Sequence, residues 1–227
     1  MSFMLLPNGA EYHFTGAASL TPEGRPIDIG NIAHQLALIN RFHGATTRPY
    51  SVAEHSLLVA EIARRAGATP VVQLAALLHD AHECFTQDLA SPAKQAVDCQ
   101  GVISGWPIAA WWEFEEDHAL TLRRNFGLLT TFITHRKALR EWDLIALATE
   151  RRDLTAWRAD THAPWPVLEG IEPVEWAHLD RGDCLQTTWL GWKAYFLGYF
   201  DDVKKWLNFD QACLADGATN AAQGPQP

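Results

Sequence analysis

The chain has 227 residues, of which 48% are hydrophobic and 20% charged, an ordinary balance for one domain with a sizeable buried core. Its formal net charge of −9 argues against a large nucleic-acid-binding surface, because such a surface needs clustered lysines and arginines. The start, MSFMLLPNGA, does not resemble a signal peptide, no apolar run has membrane-spanning length, and the four cysteines form no CxxC pair. We therefore expect no membrane association and a reduced, cytoplasmic setting.

The first half of the chain predicts two helices after an irregular start. Residues 1–30 are rich in Pro, Gly and short polar runs, and predict irregular structure. Apolar residues at helix spacing predict a first helix over 31–44. Ser51 with Glu54 three residues later is typical of a capping box, and Gly67 is suited to end the second helix.

Further helices follow with few strand-like alternations. Thr69-Pro70 predicts the start of a third helix, apolar nearly all round and therefore buried, which ends in the polar cluster HDAHE. Later helices are predicted from Ser91-Pro92, over 111–126, over 135–151 with Thr134 as N-cap, and over 184–207. Residues 100–108 and 159–183 are predicted loops. The prediction is an all-α bundle forming one domain over 1–207, with a flexible tail over 208–227.

Polar side chains occupy positions where this pattern predicts burial. His55 lies in the apolar stripe of the second helix, His79 and Asp80 end the third, and Asp143 has apolar neighbours in a later helix. An unpaired buried carboxylate is costly, and two imidazoles with two carboxylates around one divalent cation remove that cost together. Mn, Co, Zn, Fe and Ni all accept such ligands, so the sequence predicts a metal site without identifying the metal.

Glu83 lies four residues after His79 and therefore on the same helical face. Near a metal, its natural role is to take a proton from water or to deliver one to a leaving group. Each of these residues also has a simpler interpretation. His55 could be a satisfied core histidine, Asp143 a salt-bridge partner of Arg140, and Glu83 a solvated charge at a helix end.

Three stretches resemble a known family. HSLLVAEIARR, ALLHDAHECFTQDLASPAK and EWDLIALATE are together similar to the H…HD…D signature of HD-domain phosphohydrolases. NIAHQLALINRFHGATTRPYSVAEHS resembles their bacterial and phage branch, which is related to 5′-deoxynucleotidases and deoxynucleoside triphosphohydrolases. The resemblance covers roughly residues 28–152. It implies an HD-type helical bundle, here with an irregular N-terminal segment and an added C-terminal helix.

The resemblance also implies residue roles. The positions that match the family's metal ligands are His55, His79, Asp80 and Asp143. Glu83 and Asp88 match the acidic pair that activates water and protonates the leaving oxygen. Arg41 matches a residue that engages the substrate phosphate, and Lys94 occupies the basic position after Ser91-Pro92. Asp88 could instead cap the next turn, and Arg41 and Lys94 could be surface charges.

The chain departs from the family pattern at two positions. Phe42 stands where the deoxynucleotidases tend to carry Trp, and Gln87 where a Gly often precedes the acidic residue. Phe42 nevertheless offers an aromatic face for a base or a sugar, unless its ring belongs to the core. Both departures concern the identity of the substrate rather than hydrolysis.

The predicted function is metal-assisted, in-line attack of water on the phosphorus of a deoxynucleotide. The substrate is either a monophosphate that loses phosphate or a triphosphate that loses triphosphate. A catalytically silent nucleotide-binding module is the alternative from another class, although such a module needs no water-activating acids. A zinc deaminase would need a PCxxC segment, which the chain lacks. The expected partner is a small nucleotide rather than an extended nucleic acid, and a homo-oligomer is possible.

Overall fold

The computed structural model describes residues 3–105 and 110–221, with side chains described as far as Leu207. Its helices are α1 (Ile29–Leu38), α2 (Val52–Arg65), α3 (Pro70–Leu77), α4 (Glu83–Thr86), α5 (Ser91–Ile103), α6 (Ala110–Asn125), α7 (Leu129–Thr134), α8 (Arg136–Leu154) and α9 (Trp189–Ala221). Short 3-10 turns lie at Ala17–Leu20, Arg41–Gly44, Pro166–Leu168 and Gly182–Leu185. The all-α prediction is confirmed, since the described strands form one small hairpin.

That hairpin corrects the irregular start predicted for residues 1–30. Strand β1 (Phe3–Leu5) pairs antiparallel with β2 (Glu11–His13), with Met4 opposite Tyr12. Strands of three residues are too short to show an alternating pattern. Tyr12 is fully buried and its ring stacks on Phe85 of α4, with 3.8 Å between ring centroids. The hairpin thereby anchors the short helix that follows the HD dipeptide.

Helix α2 lies at the centre of the bundle and packs against α1, α3, α8 and α9. Ser51 caps it as predicted, because its hydroxyl accepts a hydrogen bond from the backbone N–H of Glu54 at 3.2 Å. In a complete capping box the Glu54 carboxylate would also accept a hydrogen bond from the backbone N–H of Ser51. Here that carboxylate pairs with Arg48 instead. Gly67 ends this segment with a φ of 79°, the left-handed conformation that favours glycine.

Several predicted boundaries differ from the structure. Thr134 does not cap the helix predicted over 135–151, which is α8 and has His135 as its N-cap. Thr134 is the last residue of α7, a short helix that apolar spacing alone did not reveal. Helix α9 begins at Trp189 rather than at Cys184, and its backbone extends past Leu207 to Ala221. It therefore enters the stretch predicted as a tail, whose last residues, 222–227, lie outside the described residues. The predicted loop over 100–108 is wrong at 100–103, which form the last turn of α5, and its residues 106–108 lie outside the described residues.

The segment over 159–183 is an ordered loop, as predicted, and α8 anchors it. Arg152 donates hydrogen bonds to the carbonyl oxygens of Val174 at 2.7 Å and Ala177 at 2.6 Å. Leu168 and Leu179 are buried beneath it. Among the described helices, none combines the length and the apolar character needed to cross a bilayer. Cys84, Cys99 and Cys184 are all free thiols.

Candidate metal and phosphate site

The inward face of α2 places His55 at the centre of the site. The ring is fully buried, as the stripe of apolar neighbours predicts. Its Nδ1 is hydrogen-bonded to the carboxylate of Glu150, so the Nε2 atom points the other way. This Nε2 lies 3.1 Å from the Nε2 of His79. Two imidazoles therefore face each other across the end of α3.

The turn after α3 supplies His79 and Asp80. The His79 Nδ1 is 2.8 Å from the carbonyl oxygen of Ala76, an acceptor, so Nδ1 carries the proton and Nε2 presents its lone pair. The Asp80 Oδ2 lies 3.1 Å from the His79 Nε2 and 3.4 Å from the His55 Nε2. These three donor atoms form one compact group.

Asp143 approaches the same group from α8. Its Oδ1 lies 3.5 Å from the His55 Nε2 and 3.9 Å from the His79 Nε2. Its Oδ2 accepts a hydrogen bond from Arg140 at 2.6 Å. Asp143 therefore does form the salt bridge with Arg140, and its Oδ1 remains directed at the two histidines.

The four predicted ligand side chains are brought together, and their chemistry fits a divalent cation. Lone pairs of two imidazoles 3.1 Å apart repel each other unless a cation or a proton lies between them. His55, His79 and Asp80 offer ligand atoms within 4.8 Å of one another. A mixed imidazole and carboxylate donor set suits first-row transition metals.

Glu150 is a functional candidate that the sequence analysis missed. It is fully buried on α8, two helical turns after Asp143, and that spacing was the available signal. Its carboxylate accepts hydrogen bonds from Tyr50 at 2.9 Å and from Arg41 at 3.3 Å, besides contacting His55. Burial alone would raise the pKa of Glu150, but the charges of Arg41 and His55 outweigh burial and lower it. The result is a fixed carboxylate that orients the His55 ring.

Arg41 is buried beside the cluster rather than exposed on a loop. Its Nε and Nη2 atoms donate to Glu150, each at 3.3 Å, and its Nη1 lies 3.6 Å from the Asp80 Oδ2. The backbone N–H of Arg41 donates to the Tyr50 carbonyl at 2.8 Å. One edge of the guanidinium is therefore held, and the other faces the histidines and Asp80.

Glu83 is a buried acid next to this group. The prediction that it shares a helical face with His79 is wrong, because α3 ends at Leu77 and Glu83 begins α4. Glu83 is 3% exposed, and its Oε2 has no hydrogen-bond partner among the described residues. Burial, and then the charges of Asp80 and Asp88, raise the pKa of Glu83 well above its ordinary value. An unpaired buried carboxyl oxygen is unusual in a folded protein, and here it adjoins the metal-ligand candidates. Asp88, half-buried in the following loop, contributes its charge to the same region.

Three residues near the site, Phe42, His43 and Gln87, have unusual backbone conformations with positive φ. Phe42 has φ 55° and ψ 26°, and its half-buried ring lies 6.2 Å from the ring of Trp165. Gln87, immediately before Asp88, has φ 68° and ψ 158°, a combination that glycine alone adopts readily. At position 87, where the resemblance implies that a glycine often stands and this chain has Gln87, the backbone therefore has a conformation that favours glycine.

The remaining candidates occupy surrounding positions. Lys94 is not free to meet a substrate in this structure, because its Nζ pairs with Glu115 at 2.7 Å. Burial lowers the pKa of His82 to about 4, and its ring does not join the cluster of ligand atoms. His43 accepts a hydrogen bond from the N–H of Ala90 at 3.4 Å. The Nδ1 of His118 lies 2.8 Å from the Tyr12 hydroxyl, at hydrogen-bond distance.

Comparisons with known proteins find one family and two similar bacterial proteins. The sequence model of the HD domain matches residues 52–117, which contain His55, His79, Asp80 and Glu83. The uncharacterized protein YfdR of Escherichia coli is 36% identical over 149 residues, which cover 66% of this chain and 71% of YfdR. An uncharacterized protein of Rhodobacter capsulatus is 49% identical over 82 residues, 34% of this chain and 42% of that protein.

Proposed function

Because the chain belongs to the HD domain family, whose members are generally metal-dependent hydrolases, we propose that it is a phosphohydrolase of deoxynucleotides. The preferred reaction converts a deoxynucleoside 5′-monophosphate and water to a deoxynucleoside and phosphate. The observation that carries the proposal is the convergence of the His55 and His79 Nε2 atoms with two carboxylates, beside a buried carboxyl of Glu83 that has an unpaired oxygen.

His55, His79, Asp80 and Asp143 would hold the divalent cation. When bound, the cation supplies charge that lowers the pKa of water and neutralises phosphoryl oxygens. Arg41 binds the phosphate through Nη1, which in this structure lies 3.6 Å from the Asp80 Oδ2, while Glu150 holds Nε and Nη2 in place. The same Glu150 keeps a proton on the His55 Nδ1, which leaves Nε2 available as a ligand.

Glu83 moves the proton that hydrolysis requires. Water adds to phosphorus, the bond from phosphorus to the 5′-oxygen breaks, and the leaving oxygen must gain a proton. Glu83 is buried next to Asp80, and burial raises its pKa, which favours a carboxyl group that holds a proton and can donate it. Asp88 lies near enough for its charge to act on both Glu83 and Arg41, which supports its assignment to the same proton path.

One experiment distinguishes the proposed monophosphatase from its two alternatives, a triphosphohydrolase and a catalytically silent nucleotide-binding module. The purified protein is incubated with deoxy- and ribonucleoside mono- and triphosphates, each with Mn²⁺, Co²⁺, Zn²⁺, Fe²⁺ or Ni²⁺. We expect release of phosphate from deoxynucleoside monophosphates. Release of triphosphate would favour the triphosphohydrolase. Nucleotide binding without hydrolysis under every condition would favour the silent module and would contradict the proposal.

A further inference from the structure

Two guanidinium groups and three aromatic rings form a row of contacts that begins at Arg41, beside the metal-ligand cluster. The Arg41 guanidinium lies 5.6 Å from the Phe42 ring, which lies 6.2 Å from the Trp165 ring. Trp165 also lies 5.7 Å from the guanidinium of Arg151, which packs over Trp157 at 4.1 Å. We call these five residues the aromatic row.

Helix α8 fixes the row relative to the ligand cluster. Arg151 directly follows Glu150, so the helix that orients His55 also supports the ring of Trp165. The loop that carries Trp165 is held on both sides of it. The Trp157 indole N–H donates to the Ala163 carbonyl at 2.9 Å, and the N–H of buried Leu168 donates to the Trp165 carbonyl at 2.9 Å.

The backbone places Phe42 outside the hydrophobic core at a cost. Phe42 and His43 both have left-handed conformations, with φ of 55° and 52°. Such conformations are unfavourable for residues other than glycine, and they concentrate at functional sites. Phe42 is half-buried, and Trp165 across from it is half-buried as well. Two partly exposed rings thus lie next to each other, and one of them, Phe42, adjoins the arginine proposed to bind phosphate.

We propose that Trp165 is a specificity-determining residue that stacks on the base of the nucleotide, together with Phe42. The inference rests on the proposed function, because it needs a phosphate bound at Arg41. A nucleotide extends its base away from its 5′-phosphate, and Trp165 is the second ring of the row outward from Arg41. Stacking on an aromatic ring suits every base, since each has a flat π face, and it favours the larger purines.

A purely structural role for Trp165, as a clamp between the loop and Phe42, makes a different prediction. A clamp would matter for every substrate that uses Arg41, with or without a base. A stacking ring would matter only for substrates that carry a base. The compound 2-deoxyribose 5-phosphate has the same phosphate ester and lacks the base, so it separates the two roles.

The test measures kcat/KM for deoxyadenosine monophosphate, deoxythymidine monophosphate and 2-deoxyribose 5-phosphate in the full-length, metal-loaded enzyme. In Trp165→Leu we expect a loss of about tenfold to a hundredfold on the purine nucleotide, the scale of one removed stack. The loss on the pyrimidine should be smaller, and activity on 2-deoxyribose 5-phosphate should not change. Trp165→Phe keeps a ring and should retain most of the nucleotide activity.

A matched control is Trp176→Leu. Trp176 is also covered by an arginine, Arg65, at 4.0 Å, but at the opposite end of α2 from His55. Its replacement should leave all three activities unchanged. Equal losses on all three substrates in Trp165→Leu, or no loss on any, would overturn the stacking role alone. A wild-type enzyme that hydrolyses no deoxynucleotide would overturn the proposed function, and the inference with it.

Discussion

Buried charges around His55 are arranged so that each has a partner of opposite sign. Glu150 is fully buried and yet accepts hydrogen bonds from Tyr50 and Arg41 and contacts His55. Desolvation of a lone carboxylate would cost several times the stability that one hydrogen bond returns, so these partners determine whether the site folds. Glu83 is the exception, because one of its oxygens has no partner among the described side chains.

Replacement of Glu83 should lower turnover and leave folding intact. Glu83→Gln preserves size and removes the titrating group. We expect full metal content, an unchanged melting temperature and a loss of about 10²-fold or more in kcat, the usual scale for a general acid or base. Elemental analysis and steady-state kinetics on the same preparation test this. Loss of metal in the variant would instead make Glu83 a ligand. Glu61→Gln, on α2 six residues after His55 and paired with Arg64 and Arg65, serves as the control.

Glu150→Gln should weaken metal binding without removing a ligand. The amide cannot hold the His55 ring as an anion does, and it leaves Arg41 with less compensating charge. We expect a metal affinity about 10- to 100-fold lower, the usual effect of losing a group that orients a ligand. Titration calorimetry with Mn²⁺ or Zn²⁺ measures this. An unchanged affinity would limit Glu150 to a role in folding.

At the scale of elements, the sequence predicted which residues face inward but not which distant segments meet. The spacing of Val52, His55 and Val59 on α2 was enough to predict burial of His55. The partners of Glu150, by contrast, lie about a hundred residues earlier in the chain, and helical periodicity contains no information about such pairs. The contact between Phe42 and Trp165 was unpredictable for the same reason.

The loop between α4 and α5 should become more stable on one substitution. Gln87 holds a backbone conformation that costs on the order of 1–3 kcal/mol for residues with a Cβ. Gln87→Gly relieves that cost, while the extra freedom of glycine in the unfolded chain takes back up to about 1 kcal/mol. We expect a net gain of about 1 kcal/mol in the free energy of unfolding, measured by chemical denaturation. Gln87→Ala keeps the strain and should show no gain.

The contact between α6 and the hairpin should weaken in acid. Burial, and then the charge of Arg25, lower the pKa of His118 from 6.5 to about 4. The unfolded chain therefore binds the proton more readily than the folded chain, and stability is lost as pH falls from about 6.5 toward 4. The contribution is on the order of 3 kcal/mol.

His118→Gln should flatten this dependence, because the variant has no imidazole to protonate. The free energy of unfolding, measured by urea denaturation at intervals between pH 4 and 7, should fall less steeply in the variant than in the wild type. His162→Gln, on the exposed loop, is the matched control and should follow the wild type. Parallel curves for His118→Gln and wild type would show that other groups dominate the acid response.

At the scale of the whole molecule, the proposed cation joins segments that are far apart in sequence. Its proposed ligands come from α2, from the turn after α3 and from α8. A ligand that binds the folded state alone raises stability by about 2.7 kcal/mol at a hundred times its dissociation constant. For a chain of this size we expect a rise of roughly 5–10 °C in melting temperature.

Calorimetric melting of chelator-treated protein, with and without added Mn²⁺, measures this rise. Asp80→Asn keeps the size of the side chain and weakens the ligand, so its melting temperature should respond much less to the metal. An equal rise in the variant would mean that Mn²⁺ binds elsewhere, and would contradict the assigned site.

The shared guanidinium of Arg41 has a thermodynamic consequence. This guanidinium contacts two carboxylates of the site: Glu150, which orients the proposed ligand His55, and Asp80, which is itself a proposed ligand. Its Nη1 is also the atom proposed to bind phosphate. An anion that draws this group toward itself alters the charge felt by both carboxylates. Occupancy of the phosphate position and of the cation position are therefore linked. By reciprocity, the factor by which inorganic phosphate changes metal affinity must equal the factor by which metal changes phosphate affinity.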